Sequence, residues 1–149
     1  MREKKKPKQP KIKVRKNEVS RETRFYELLN AVFEDLLLAR KLILDDPTIV
    51  TAKNSIGETP FHYLVVENQL EAVEFLVQHG SDVNNQNEFG TSAIVEAAQL
   101  GYVEMVDLLL KLGASVNVAE MIEELEMMDV NEQRRNKIIA VFEKHGHTV

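Results

Sequence analysis

The chain contains no cysteine. Disulfides, cysteine-bound zinc or iron–sulfur centres and thiol nucleophiles are therefore excluded. No apolar run approaches the roughly 18 residues that a membrane-spanning helix needs. The basic N-terminus is followed by no apolar signal core, and it lacks the Ser-rich, amphipathic pattern of a mitochondrial transit peptide. We therefore expect a cytoplasmic protein that contacts no membrane, or a nuclear one if the source is eukaryotic.

Catalytic motifs are missing as well. The sequence has no G-x-x-x-x-G-K-[ST] phosphate loop, no H-E-x-x-H and no G-x-S-x-G nucleophile elbow. Its acidic residues have no paired base or nucleophile beside them. His145-Gly146-His147 has no anchored third ligand nearby in sequence, which favours a flexible tail over a metal site. We predict that the protein is not an enzyme and binds no cofactor, metal or small-molecule substrate.

Charge is abundant but unevenly placed. The chain has 149 residues, a length that suits one domain. Nine of its 19 basic residues but one of its 24 acidic residues lie in 1–16, so that segment carries +8 and the rest of the chain carries −13. A basic arm is therefore attached to an acidic body, and any function must account for this asymmetry.

The clearest pattern is an internal repeat. The same residues recur 33 positions apart in the chain. The pairs are Gly57 and Gly90, Gly80 and Gly113, and Val83-Asn84 and Val116-Asn117. The segments 54–86 and 87–119 are accordingly two copies of one unit. A fixed period in the range of roughly 20–50 residues indicates a stacked solenoid.

Each copy is predicted to form a turn followed by two helices. In the first copy Thr59 is a good N-cap, and Pro60 is favoured at the first helical position. The first helix is therefore expected over about 61–67. A second helix is expected over 70–79, where apolar residues follow helical spacing. The second copy repeats both helices at the equivalent positions.

These copies resemble the ankyrin repeat family. Thr59-Pro60-Phe61-His62 is similar to the family's T-P-L-H signature, and Ser92-Ala93-Ile94-Val95 is a looser form of it. Gly80-Ser81-Asp82-Val83-Asn84 is similar to the G-A-D-V-N ending. The resemblance implies an all-α ankyrin-repeat solenoid of helix pairs joined by short hairpins. It also implies that His62 and Thr59 tie the turn together by hydrogen bonds.

Both flanks are expected to be atypical capping repeats, which gives about four repeats in all. Upstream, helices are expected over 25–32 and 36–44, the second ended by Asp45-Asp46-Pro47. Downstream, Glu123 stands where the turn glycine belongs. This substitution predicts that the hairpin is lost and that helices lie near 119–128 and 131–144.

The predicted organisation follows from these features. The N-cap candidates of the first helix are Ser20 and Thr23. The predicted segments are a basic, disordered arm over 1–19, an N-terminal capping repeat over 20–53, repeats over 54–86 and 87–119, and a C-terminal capping repeat over 120–149.

The resemblance places partner binding on the concave face, which is formed by the hairpin tips and the outer side of each first helix. The predicted protein-binding residues are Ile56, Glu58, Tyr63, Val66, Glu67, Glu88, Phe89, Glu96, Gln99 and Leu100. Apolar anchors within a polar rim are typical of an interface. For Ile56 and Phe89 an alternative stays open, since both also suit packing between neighbouring hairpins. The protein is expected to be a monomer.

The basic arm has three interpretations. Lys and Pro without apolar partners favour a solvated, disordered tail. A polyanion-binding arm would resemble an import signal or make weak, non-specific phosphate contacts with nucleic acid. Its residues would be Lys4, Lys5, Lys6, Lys8, Lys11, Lys13, Arg15 and Lys16. In the third interpretation the arm docks on an acidic surface of this or another copy, at short range because salt screens the attraction.

The whole sequence predicts protein–protein interaction through the concave face, with the partner unidentified. One alternative is a nucleic-acid- or ribosome-associated adaptor in which the arm makes the first contact. Another is an inhibitor or immunity-type protein whose acidic groove blocks an enzyme by imitating an anionic substrate. Fold alone does not decide among them.

Overall fold

The structure is a computed structural model that describes residues 16–148, with side chains from Arg21 onward. Its helices are α1 (Lys16–Glu34), α2 (Leu36–Asp45), α3 (Pro60–Val66), α4 (Leu70–Gln78), α5 (Ala93–Gln99), α6 (Val103–Lys111), α7 (Val118–Met127) and α8 (Glu132–Lys144). A 3-10 helix at Pro47–Thr51 follows α2. Within 16–148 the chain forms no strand longer than the isolated bridge between Gln86 and Ser92. The predicted all-α solenoid is confirmed.

The start of the first helix differs from the prediction. Because α1 includes Lys16–Glu34, Ser20 and Thr23 both lie inside the helix, and their assignment as N-cap candidates is wrong. The helix therefore takes in 16–19, which were assigned to the arm. Residues 1–15, with all the arm's basic residues except Lys16, lie outside the described residues.

Aspartates set the bounds of the helices that form the N-terminal capping repeat. Asp35 is the N-cap of α2, and its carboxylate accepts hydrogen bonds from the backbone N–H groups of Leu37 and Leu38. Asp46 ends α2 and caps the 3-10 helix by accepting from the N–H of Thr48 at 3.1 Å. This confirms the predicted break at Asp45-Asp46-Pro47.

The helices stack as pairs around one continuous core. The first helices of successive repeats pack in the order α1, α3, α5 and α7, and the second helices α4, α6 and α8 pack behind them. The largest fully buried side chains come from every layer, and include Phe25, Phe61, Ile94, Leu109 and Phe142. Since one helix pair cannot bury its apolar side alone, this stacking stabilises the repeats.

The third hairpin is lost, as predicted. Residues 120–124 stand one repeat after the second hairpin, but they lie inside α7. The turn glycine of the second hairpin, Gly90, has a φ of 75°. Glu123 occupies the equivalent position, and a side chain disfavours that left-handed conformation. The chain therefore continues directly into a helix capped by Asn117, whose side chain accepts from the N–H of Glu120 at 3.4 Å.

The C-terminal residues are held against the repeats, so the interpretation of 145–147 as a flexible tail is wrong. His145 Nε2 lies 2.7 Å from Oδ1 of Asp107 in α6. His147 packs edge-on against the ring of Phe142. Within the described part of the chain, no group of three His, Asp or Glu side chains is placed to hold a metal ion. No described helix is long and apolar enough to cross a bilayer.

Candidate functional site

The first hairpin is held by the side chain of one asparagine. Asn54 Oδ1 accepts hydrogen bonds from the backbone N–H groups of Ile56 at 3.1 Å and Glu58 at 2.9 Å. Its Nδ2 donates to the carboxylate of Glu58 at 2.9 Å. Gly57 has a φ of 77°, which favours glycine. The tip at residues 55–57 is therefore fixed from within the hairpin.

The second hairpin repeats this arrangement at the equivalent positions of the next repeat. Asn87 Oδ1 accepts from the N–H groups of Phe89 at 2.9 Å and Thr91 at 3.0 Å. Its Nδ2 donates to Glu96 in α5 at 3.0 Å. The side chain of Glu88 lies against Gly57 of the first hairpin. The two tips are therefore placed side by side. The bonds to the asparagine Oδ1 atoms are equivalent in the two hairpins, whereas the Nδ2 atoms donate to different glutamates.

Thr59 and His62 join the first hairpin to the linker before the second. Thr59 Oγ1 lies 3.1 Å from Nδ1 of His62, and Nε2 of His62 lies 2.7 Å from the carbonyl oxygen of Asn85. Since a carbonyl oxygen can only accept, Nε2 carries a proton and donates it. The His62 side chain is buried, with a relative exposure of 1%. The structural role implied for His62 and Thr59 is confirmed.

The hairpin tips expose two large apolar side chains. Phe89 is 88% exposed and Ile56 is 64% exposed. They occupy the same position in successive repeats. These exposures favour binding over packing between neighbouring hairpins, most clearly for Phe89. Adjacent exposed apolar side chains are a recognised mark of an interaction site.

The predicted positions on the first helices fall into two groups. Leu100 is 42% exposed, and Glu67 is also exposed. The others are half-buried and already in contact with the protein, namely Tyr63 against Phe25, Val66 through its carbonyl to the hydroxyl of Tyr102, and Gln99 through Nε2 to Glu124. Leu100 therefore offers more apolar surface than Tyr63 or Val66.

Glu96 lies half-buried behind the second hairpin. Burial raises the pKa of its carboxyl group, an effect that His62 and the hydrogen bond from Asn87 oppose and that Glu58 reinforces. Its Oε2 atom is buried and has no hydrogen-bond partner among the described residues. Glu96 thus positions the hairpin through Asn87, and direct contact between Glu96 and a partner stays a prediction.

Phe33 was missed by the sequence reasoning. It lies at the end of α1, is 54% exposed, and stands one repeat length before Val66. Extending the repeat spacing into the N-terminal capping repeat would have found it. With Phe33 included, exposed apolar side chains occur in each of the first three repeats.

A polar slot lies where the third hairpin would otherwise pack. It has a volume of about 320 Å³ and lies between the second hairpin, α5 and α7. Its walls include Gly90 and Thr91 from the hairpin, Gln99 from α5, and Glu120 and Glu124 from α7. The lost hairpin therefore leaves an open, acidic end beside Phe89.

The comparisons with known proteins agree with this architecture. A family model described as ankyrin repeats in three copies matches residues 28–120, more than half of the chain. The chain belongs to the ankyrin repeat family. Ankyrin repeats are generally protein–protein interaction modules, and the fold is typically non-catalytic.

Similar proteins come from distant sources. The chain is 30% identical over 82 residues to the serine/threonine-protein kinase VIK of Arabidopsis thaliana, covering 55% of this chain and 19% of the kinase. It is 34% identical over 82 residues to ankyrin repeat and SAM domain-containing protein 6 of Rattus norvegicus, covering 54% of this chain and 9% of that protein. An ankyrin repeat domain from Acinetobacter baumannii superimposes with a TM-score of 0.63 at 26% identity, covering 80% of this chain and 62% of that one. The chain thus spans about a fifth or less of the length of these curated relatives.

Proposed function

We propose that this protein binds another protein through its concave face, with Ile56, Phe89 and Leu100 as the apolar anchors. The observation that carries the proposal is the exposure of Phe89, 88%, beside Ile56 on the neighbouring tip. Burying such a side chain against a partner is worth about 1.5–3 kcal/mol. Left uncovered, these side chains give the free protein no such stabilisation.

The rigidity of the hairpins supports the same proposal. Both tips are held by an asparagine side chain and by a turn glycine with positive φ. A partner that binds them has little backbone to order, and the entropic cost of association is correspondingly low. The acidic Glu67 and Glu88 would lie at the rim, where charged side chains set specificity and association rate more than affinity.

The test replaces the three anchors together in the full chain. The variant carries Ile56→Ser, Phe89→Ser and Leu100→Ser. The amount of protein captured from a lysate of the source organism should fall at least about tenfold. The helical circular dichroism signal should stay unchanged, because all three side chains are exposed.

The matched control removes equally exposed apolar side chains from α2. Its substitutions are Leu37→Ser, Leu38→Ser and Leu44→Ser, at positions that are 79%, 45% and 69% exposed. This control should capture the same proteins as the wild type. If the anchor variant also captures them undiminished, the assigned face is wrong.

A second candidate function, polyanion binding by the arm, is favoured by one feature of the described residues. Exposed Arg21 and Lys53 line a single cleft beside the first hairpin, together with Glu22. Arg21 lies in the first turns of α1, and the arm precedes this helix directly. The two cations would extend a phosphate-contacting surface from the arm onto the folded repeats.

A further inference from the structure

We propose that the segment bound by the concave face is rich in Lys and Arg, carries apolar side chains that cover Phe89 and Ile56, and places one cationic side chain in the slot beside the second hairpin. This inference rests on the proposed function and adds the chemistry of the partner.

The charge of the two regular repeats is almost entirely of one sign. Residues 54–110 contain nine Asp or Glu and no Lys or Arg. The residues predicted for the concave face include four of the nine acids, namely Glu58, Glu67, Glu88 and Glu96. All Lys and Arg residues of the chain lie before or after this stretch. An acidic partner would meet only like charge at the anchors, whereas a basic one meets complementary charge.

The apolar anchors and the acids share the same surface. Glu88 precedes Phe89 on the second tip, and Glu58 follows the first tip shortly after Ile56. At physiological salt, charges attract one another mainly within about 8 Å. A bound segment must therefore carry its cations close to the apolar side chains that cover Phe89 and Ile56. Alternating or interspersed apolar and basic residues satisfy both demands.

The slot gives one cation a defined position. Residues 120–124 lie one repeat length after the second hairpin and would form a third hairpin, but they belong to α7. Glu120 and Glu124 are one helical turn apart and face the space left open, and Gln99 Nε2 donates to Glu124 Oε2 at 3.2 Å. None of the residues that line the slot is Lys, Arg or His.

The slot is large enough to admit one long cationic side chain. Its volume of about 320 Å³ is at the lower limit of small-molecule pockets, which run from about 300 to 1,000 Å³. A Lys or Arg side chain can bury its methylene stem along an apolar wall while its charged end stays hydrogen-bonded. Val95 and Met121 supply such a wall.

The experiment presents the full chain with a library of short random peptides displayed on phage. The proposal predicts that selected sequences contain more Lys and Arg than Asp and Glu, with apolar residues between the cations. Affinities of selected peptides are then measured by fluorescence anisotropy. Selection of neutral or acidic sequences, or of none, would overturn the proposal.

Variants of the full chain separate the parts of the site. Glu120→Gln with Glu124→Gln should weaken the selected peptides about three- to tenfold and reduce the dependence of affinity on salt. The control, Glu71→Gln with Glu74→Gln, removes the same charge from exposed positions of α4 and should leave affinity unchanged. Equal losses in both pairs would mean that only net charge matters, and the slot would be rejected.

The outcomes also distinguish this inference from the proposed function. Phe89→Ser should weaken the selected peptides at least about tenfold. If Phe89→Ser abolishes binding but the glutamate pairs and the selected charges have no effect, the concave face binds a partner of another chemistry. If Phe89→Ser has no effect, the proposed function itself fails. If a synthetic peptide of residues 1–15 displaces the selected peptides as well as they displace each other, the occupant is this chain's own arm, and the proposal of a separate basic partner is overturned.

Discussion

The replacement His62→Ala tests whether the hairpins are held as the hydrogen bonds indicate. The imidazole bonds Thr59 through Nδ1 and the carbonyl oxygen of Asn85 through Nε2. It thereby joins the start of α3 to the linker that leads into the second hairpin. Alanine removes both bonds and leaves a gap at a site where the side chain is 1% exposed.

The expected loss of stability can be worked from these contacts. Each hydrogen bond contributes about 0.5–1.5 kcal/mol, and each buried group left without a partner costs about 1–3 kcal/mol. The O–H of Thr59 is buried and loses its acceptor, although the Thr59 oxygen keeps the bond from the N–H of residue 62. The region around Asn85 is part-buried, so the second cost lies at the lower end. We expect His62→Ala to lower the free energy of unfolding by about 3 kcal/mol.

The repeat over 87–119 provides the matched control. Val95 occupies the position equivalent to His62 and is half-buried, and its side chain makes no hydrogen bond. Val95→Ala should cost about 1 kcal/mol through lost apolar contact alone. Urea unfolding followed by circular dichroism measures both values. A difference between the two variants of less than about 1 kcal/mol would refute the assigned role of the His62 bonds.

Three further predictions concern charged groups. Asp107→Asn should lower stability by about 1–2 kcal/mol at pH 7, because Asp107 bonds His145, Lys111 and Lys144. These bonds lower the pKa of Asp107, so the difference in stability between wild type and variant should fade as the pH falls below about 4. An equal difference in urea titrations at pH 7 and pH 3 would contradict this. Glu96→Gln should leave Tm at pH 7 equal or higher, because burial raises the pKa of Glu96 and so disfavours its charged form in the folded chain. Any gain in Tm should shrink toward pH 4, where the wild-type carboxyl group becomes protonated. A lower Tm of the variant at pH 7 in calorimetry would count against this prediction. Deleting residues 1–15 should keep the helices of 16–148, since the core that holds them comes from residues within that range. It should remove salt-dependent binding to a labelled single-stranded RNA, and unchanged RNA binding would exclude a polyanion-binding arm.

Much of the fold could be predicted because repeat spacing fixes which residues turn and which pack. Gly57 and Gly90 mark the turns, and Thr59 caps α3, as local chemistry requires. The loss of the third hairpin also followed from one residue, Glu123. The position of Ser20 and Thr23 inside α1 did not follow, because a residue that suits an N-cap need not be the residue at which a helix begins.

The candidate site could be predicted only in part. The exposure of Ile56, Phe89 and Leu100 could be predicted, because the resemblance to ankyrin repeats assigns these residues to the hairpin tips and the first helices. The partial burial of Tyr63 could not be predicted, because its contact with Phe25 depends on how α1 packs against α3. The contact between His145 and Asp107 could not be predicted, because the two residues lie far apart in sequence. Such long-range side-chain contacts leave no local pattern to read.

The most direct test of the central claim is an NMR titration of the isotopically labelled full chain with a selected peptide. The account predicts that amide shifts concentrate at 55–58, at 88–92 and at the end of α5, with smaller shifts at the start of α7. These are the hairpin tips, the anchor Leu100 and the slot. Shifts confined to α2, α4 and α6 would contradict the claim that the concave face binds the partner.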